Sequence, residues 1–145
     1  MSSLNNIEKG LYLENLEILI PWKTSLDDIS LYGNPEIKVL SPQRTDAIWR
    51  NASIFGGLTL DLTAMFWETL FRRNKFYSAH AYIDGDSFTK YKPFLDYHFH
   101  QQSRQVNQNS LEYYYKWKMN KCSIKLGKGD RFGEYYYIQI DRKII

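Results

Sequence analysis

The sequence predicts an α+β fold, an antiparallel sheet of about six or seven strands with two helices packed on it. Three patterns point there. Leu58-Thr59-Leu60-Asp61-Leu62-Thr63 alternates strictly between apolar and polar side chains, the period of a strand with one face buried. Gly56-Gly57 separates two β-rich runs, and paired glycines supply the positive φ of a tight hairpin turn. Phe88, Tyr91, Leu95 and Phe99 recur at helical spacing. With 145 residues, 43% of them hydrophobic and 24% charged, the chain has the size of one domain, 1–145, and can build a core without staples. Residues 1–12 read as loosely ordered.

Leu13 to Ile20 begins the ordered part as a strand, which Pro21 ends by removing a backbone donor. Thr24-Ser25-Leu26-Asp27 has the layout of a capping box, a hydroxyl followed three residues on by an acid. It opens a short helix that Gly33 closes and Pro35 forbids from continuing. Glu36 to Leu40 is a strand. Ala47 to Phe55 and Leu58 to Thr63 flank Gly56-Gly57, with Leu58, Leu60 and Leu62 toward the core. Phe76 to Ile83 is a further strand, closed by Asp84-Gly85-Asp86. Ser87 caps the second helix, which Pro93 punctuates. Gln101 to Asn109 holds one apolar residue in nine and reads as a loop. Tyr113 to Lys118, Ser123 to Leu126 and Tyr135 to Ile140 complete the sheet, with a wide turn from Gly127 to Gly133. The order strand, helix, Trp-bearing hairpin occurs around Trp49 and again around Trp117, which suggests two β-α-β-β units.

Composition narrows the class. The apolar runs, Ile18 to Ile20 for example, fall far short of the ~20 residues needed to cross a bilayer. Met1 to Gly10 lacks the basic-then-apolar layout of a secretory signal. A single cysteine, Cys122, excludes an internal disulfide framework and fits a reducing compartment. A cytoplasmic protein is expected. The net charge of +3 hides an asymmetry: residues 1–72 carry 6 basic and 9 acidic side chains, residues 73–145 carry 13 and 7. Two faces of opposite sign would produce it, and so would charges scattered over a solvated surface.

No catalytic residue, metal or cofactor is expected. Asp96, His98 and His100 include ligand types suited to a metal, but on a helix residues two apart diverge by roughly 200°. Neither His80 nor His98 has a base and an oxyanion donor placed with it in sequence. Cys122 opens a strand, where a lone cysteine serves as a small core residue. The stretch Gly127 to Gly133 lies between strands and lacks the Lys-Ser/Thr ending of a phosphate loop. The run Tyr113-Tyr114-Tyr115-Lys116-Trp117-Lys118 places Tyr113, Tyr115 and Trp117 on one strand face and Tyr114, Lys116 and Lys118 on the other. That pattern suits a core face, a protein interface with aromatic anchors, or a base-stacking surface beside lysines.

Leu19-Ile20-Pro21-Trp22-Lys23-Thr24-Ser25-Leu26-Asp27-Asp28, then Gly33-Asn34-Pro35, then Trp49 and Phe55-Gly56-Gly57-Leu58-Thr59-Leu60 resembles small bacterial immunity proteins. These are antidotes encoded beside polymorphic or contact-dependent growth inhibition toxins. The likeness is to an IPWGTS-like approach from strand to helix, a Gly-x-Pro exit and a hairpin, and it covers about the first 60 residues. Lys23 departs from it, since glycine is commoner there. The resemblance implies a non-catalytic protein that binds and neutralises a cognate toxin, with no membrane partner. The alternative is an RNA- or single-strand-binding module using the basic, aromatic second half. For an antidote, nucleic-acid binding is expected to be weak, non-specific and lost near physiological salt, because phosphate neutralisation is screened.

The candidate toxin contacts are Asp61, Trp67, Glu68, Tyr113, Tyr115 and Trp117. Asp61 lies on the solvent side of its strand, Trp67 shares that face by alternation, and Glu68 extends the acidic edge. Asp27 and Asp28 instead suit the first turn of the short helix, whose dipole favours carboxylates.

Overall fold

A computed structural model describes residues 6–100, 104–109 and 111–144. The strands are β1 (Gly10–Leu13), β2 (Ile18–Pro21), β3 (Glu36–Ser41), β4 (Arg44–Ile54), β5 (Leu58–Trp67), β6 (Ser78–Ile83), β7 (Arg104–Asn107), β8 (Tyr113–Lys118), β9 (Cys122–Asp130) and β10 (Glu134–Arg142). One α-helix, α1 (Gly85–His98), and a 3-10 turn, Ile29–Leu31, complete the described elements. An antiparallel sheet runs in the order β3-β4-β5-β6-β10-β9-β8-β7, and β1 pairs with β2 as a separate hairpin. The described residues are mostly β, 52% of them in strands, with one α-helix and an eight-stranded sheet. That corrects the expected α+β fold with two helices on six or seven strands.

The first expected helix gives way to tertiary pairing. The Lys23 N–H donates to the Phe76 carbonyl at 2.8 Å, the Phe76 N–H to Thr24 at 2.9 Å, and the Leu26 N–H to Asn74 at 2.9 Å. Residues 23–26 are thus tied to residues 74–76, bridged through Ser25 and Lys75. Ser25 Oγ accepts the Asp28 N–H, but the backbone bonds that follow reach back three residues, the 3-10 pattern. The second helix does form. Asp84 rather than Ser87 is its cap, accepting the Ser87 N–H at 2.6 Å, and Phe88, Tyr91 and Leu95 are its buried stripe. Pro93 sits inside it.

Two turns also differ from expectation. Ile54 pairs with Leu58, so the hairpin loop has three residues, Phe55, Gly56 and Gly57, all at positive φ. β9 runs on through Gly127 and Gly129 because tyrosine rings from β10 lie over both. A Cβ on Gly127 would stand 2.2 Å from Tyr137 Cζ, and one on Gly129 2.1 Å from Tyr135 Cζ. Glycine there makes room for aromatic cover across the strand pair. In the segment read as a loop, residues 104–107 form β7, the sheet edge beside β8; residues 101–103 lie outside the described residues.

The sheet order is symmetric about the central β6–β10 pair. A 3-10 turn followed by β3 to β6 matches α1 followed by β7 to β10. Laying Glu36 on Arg104 through the strand registers brings Trp49 onto Trp117. Both indoles fasten a helical segment to the sheet. Trp49 Nε1 donates to the Tyr32 carbonyl at 2.7 Å, just past the 3-10 turn, and Trp117 Nε1 donates to the Asp96 carboxylate of α1 at 2.9 Å. The repeated unit is therefore a helical turn plus four strands, not β-α-β-β.

Alternation sends Trp49, Leu60, Leu62, Phe66, Trp117, Ile124 and Ile138 to one inner face, which α1, the β1–β2 hairpin and the 3-10 turn cover. Residues 6–12, read as loosely ordered, include β1 and the buried Ile7. The Ile7 carbonyl accepts Trp22 Nε1 at 2.6 Å and the Cys122 thiol at 3.3 Å. At Gly10 a Cβ would meet the Ile20 carbonyl oxygen at 2.1 Å. Gly10→Ala is predicted to destabilise the fold by about 1–3 kcal/mol through this backbone clash. Trp117→Ala should cost more, about 3–5 kcal/mol, as a large buried ring is lost. Urea unfolding measures both, and a Trp117→Ala variant as stable as the parent would contradict the assigned core.

Candidate functional site

The outer face of the sheet carries no second layer of described residues, since the covering elements all pack on the inner one. Register defines its composition. Ile48, Thr63, His80, Gln139, Lys125 and Lys116 are successive cross-strand neighbours from β4 to β8. Tyr82, Tyr137, Gly127 and Tyr114 form the adjoining row from β6 to β8. On β3, β4 and β5 the acids Glu36, Asp46 and Asp61 stand among Lys38, Arg44 and Arg50, so that end is mixed in charge, while lysines gather toward β8 and β9.

At the β3–β5 end Asp61 has a structural task. β4 bulges between Trp49 and Ala52, with Asn51 at φ 53°, a conformation asparagine tolerates better than most residues. Asp61 Oδ1 accepts the Asn51 N–H at 3.0 Å, and its Oδ2 lies 3.3 Å from Arg50 Nη1. Arg50 Nη2 also donates to Glu36 at 2.9 Å. The Asn51 amide, and after it the Arg50 guanidinium, holds the Asp61 carboxyl below its usual range. On the far side of the bulge, Asn15 Oδ1 accepts the Ser53 N–H. Further along, Arg44 grips Asp46 through two nitrogens at 3.0 and 3.2 Å and lies 5.2 Å from the Trp67 ring centre.

His80 occupies the middle of the face, between Thr63 and Gln139. Burial pushes its imidazole below the ordinary range, and the neighbouring Arg44 adds to the effect. Its Nδ1 is buried without a hydrogen-bond partner. A cleft of about 290 Å³ opens beside it, between Ile48, Arg50, Asp61 and Tyr82.

Of the contacts expected from sequence, Asp61 and Trp67 share the outer face. Glu68 follows β5 and accepts a hydrogen bond from Asn74. Trp117 is fully buried on the inner face, so it has no surface to give a partner. Tyr113 and Tyr115 are half-buried beneath α1, against Phe88 at 6.2 and 6.1 Å. Those three are core and helix-packing residues. The sequence reading missed Tyr82, Tyr135 and Tyr137 on the outer face. Alternation within Phe76 to Ile83 and Tyr135 to Ile140 was the available signal, had the facing glycines at 127 and 129 been placed in a strand.

The remaining reactive groups are engaged in structure. Burial pushes the Cys122 thiol up to about 12, leaving no thiolate nucleophile near neutral pH. Asp96 receives the Trp117 indole and pairs with Lys92 at 2.7 Å. His98 stacks on Phe94, and His100 lies against Tyr97. Among the described residues no group of three or more His, Cys, Asp or Glu is placed to hold a metal, and no helix is long and apolar enough to cross a membrane. No protein-family model, curated protein or solved structure matches the chain.

The lowered His80 value sets a pH dependence. As pH falls through 6.5, the unfolded chain takes up a proton that folded His80 resists, so stability falls. Unfolding free energies measured from pH 7 downward should decline less steeply in His80→Gln. An unchanged slope would contradict the buried, neutral imidazole.

Proposed function

We propose that the chain is a non-catalytic, cytoplasmic immunity protein that neutralises a cognate bacterial toxin by binding it on the outer sheet face. The observation that carries this is the uncovered face itself. Eight strands spaced about 4.8 Å apart span roughly 34 Å, wide enough for a standard interface of about 800 Å² per partner. Its aromatic side chains are the types that dominate binding energy when a partner desolvates them. Trp67 lies beneath a guanidinium already fixed by Asp46, and Tyr82 stands 68% exposed.

The local backbone supports the resemblance on which the class rests. Lys23 adopts φ 70°, the left-handed region that glycine enters freely. It is the position where immunity proteins commonly have glycine. Asp61 and Arg50 serve both the bulge and the rim of the interface, so the acidic contact is a rigid one.

The test begins with the protein encoded by the adjacent reading frame. Co-purification of the two chains as a stable complex, and protection of cells expressing the toxin, are the expected results. Trp67→Ala should weaken the complex by about 2 kcal/mol or more, roughly thirtyfold in Kd. Charge reversal at Asp61 and Glu68 should mainly slow association. A folded variant carrying all three changes that still protects fully would move the interface off this face.

A further inference from the structure

We infer that a tyrosine–lysine strip on the β6, β8, β9 and β10 part of the outer face binds single-stranded nucleic acid, an activity beyond the toxin binding proposed above, with which it shares Tyr82. Two parallel rows carry it. The first is Tyr82, Tyr137, Gly127 and Tyr114, cross-strand neighbours on adjoining strands. The Tyr137 ring lies over Gly127, and the Tyr135 ring lies over Gly129. Tyr135 meets Tyr82 edge-on at 5.9 Å. Tyr135 and Tyr137 are half-buried on this glycine floor, while Tyr82 beside them is exposed.

The second row lies two residues along each strand, about 6.8 Å away. It contains Gln139, Lys125 and Lys116, with Lys118 one step beyond, opposite Ser123. Lys116 and Lys125 are direct cross-strand neighbours. A chain of phosphates complements two ammonium groups so placed. The outer positions of β8 and β9 are Tyr114, Lys116, Lys118, Ser123, Lys125, Gly127 and Gly129, and the acid nearest them on β10, Asp141, is held by Ser78 and Gln139. Lys125 Nζ stands 5.0 Å from the Tyr114 ring centre, so the two rows are in contact.

An aromatic row beside a cationic row matches a single strand, whose exposed bases stack on rings while its phosphates meet ammonium groups. A duplex keeps its bases inside and would use only the lysines. The strip therefore selects for unpaired bases rather than for negative charge alone.

Fluorescence anisotropy tests this with the full chain and three probes: labelled oligouridine, the same strand annealed to oligoadenine, and heparin. Single-strand binding tighter than to duplex or heparin is expected. In Lys116→Gln with Lys125→Gln, the slope of log affinity against log salt should become shallower by about 1.4, since each phosphate contact on a single strand contributes about 0.7. Tyr82→Ala, at an exposed site, should lose at least about fivefold, the low end of one base–aromatic stack. Tyr137→Phe keeps the ring and should bind as the parent does. Circular dichroism confirms that each variant is folded. Equal affinity for the three probes with no effect of Tyr82→Ala would overturn the inference, and so would absence of binding at low salt. Loss of the toxin complex in the double lysine variant, with no nucleic-acid binding by the parent, would also overturn it while leaving the immunity reading intact.

Discussion

The antiparallel pairing of β6 with β10 turns two four-stranded meanders into one sheet, and every surface feature depends on it. Six residue pairs form the seam, from Ser78 with Asp141 to Ile83 with Tyr136. Its register is pinned at one end, where the Ser78 hydroxyl donates to Asp141 at 2.6 Å and the Arg142 N–H reaches the Tyr77 carbonyl at 2.8 Å. A slip of one residue would turn Ile138 and Ile140 outward and Tyr137 and Gln139 into the core, because side chains alternate with a period of two. The seam places the charge-balanced meander β3–β6 beside the lysine-bearing β7–β10, and it sets Tyr82 next to Tyr137.

Division of labour between the two faces follows from which side the helical segments cover. On the inner side two tryptophans tie those segments down through their indole N–H groups. Each bond satisfies a donor that would otherwise be costly inside an apolar core. The outer side is left with aromatic rings lying on the sheet, charged groups holding one another, and an imidazole with one nitrogen orphaned. A buried polar atom without a partner costs free energy, so His80 marks the place where the outer face is least settled in the isolated chain.

How far the sequence disclosed this can be judged residue by residue. The strict alternation at Leu58 to Thr63 and the apolar spacing of Phe88, Tyr91 and Leu95 gave β5 and α1 their correct inner faces, because burial of one stripe dominates both. The capping box at Thr24 misled, since the local preference lost to backbone pairing with residues 74–76 that no short window can see. Gly127 and Gly129 looked like turn residues because their function, to lie beneath rings from β10, depends on the register of a neighbouring strand. Asp61 was rightly placed outward, yet its bond to the bulge at Asn51 was invisible without the fold. Trp117 belonged to an aromatic run whose orientation only the position of α1 decides.

Chemical-shift mapping with the proposed toxin partner tests the central claim, that the outer face is the binding surface, most directly. Assigned aromatic resonances report on both faces in one experiment. Binding on the outer face predicts shifts at Trp67, Tyr82 and Tyr135, with Phe88 and Trp117 unmoved beneath α1. Shifts confined to α1 and the β1–β2 hairpin, with those outer rings unmoved, would contradict it.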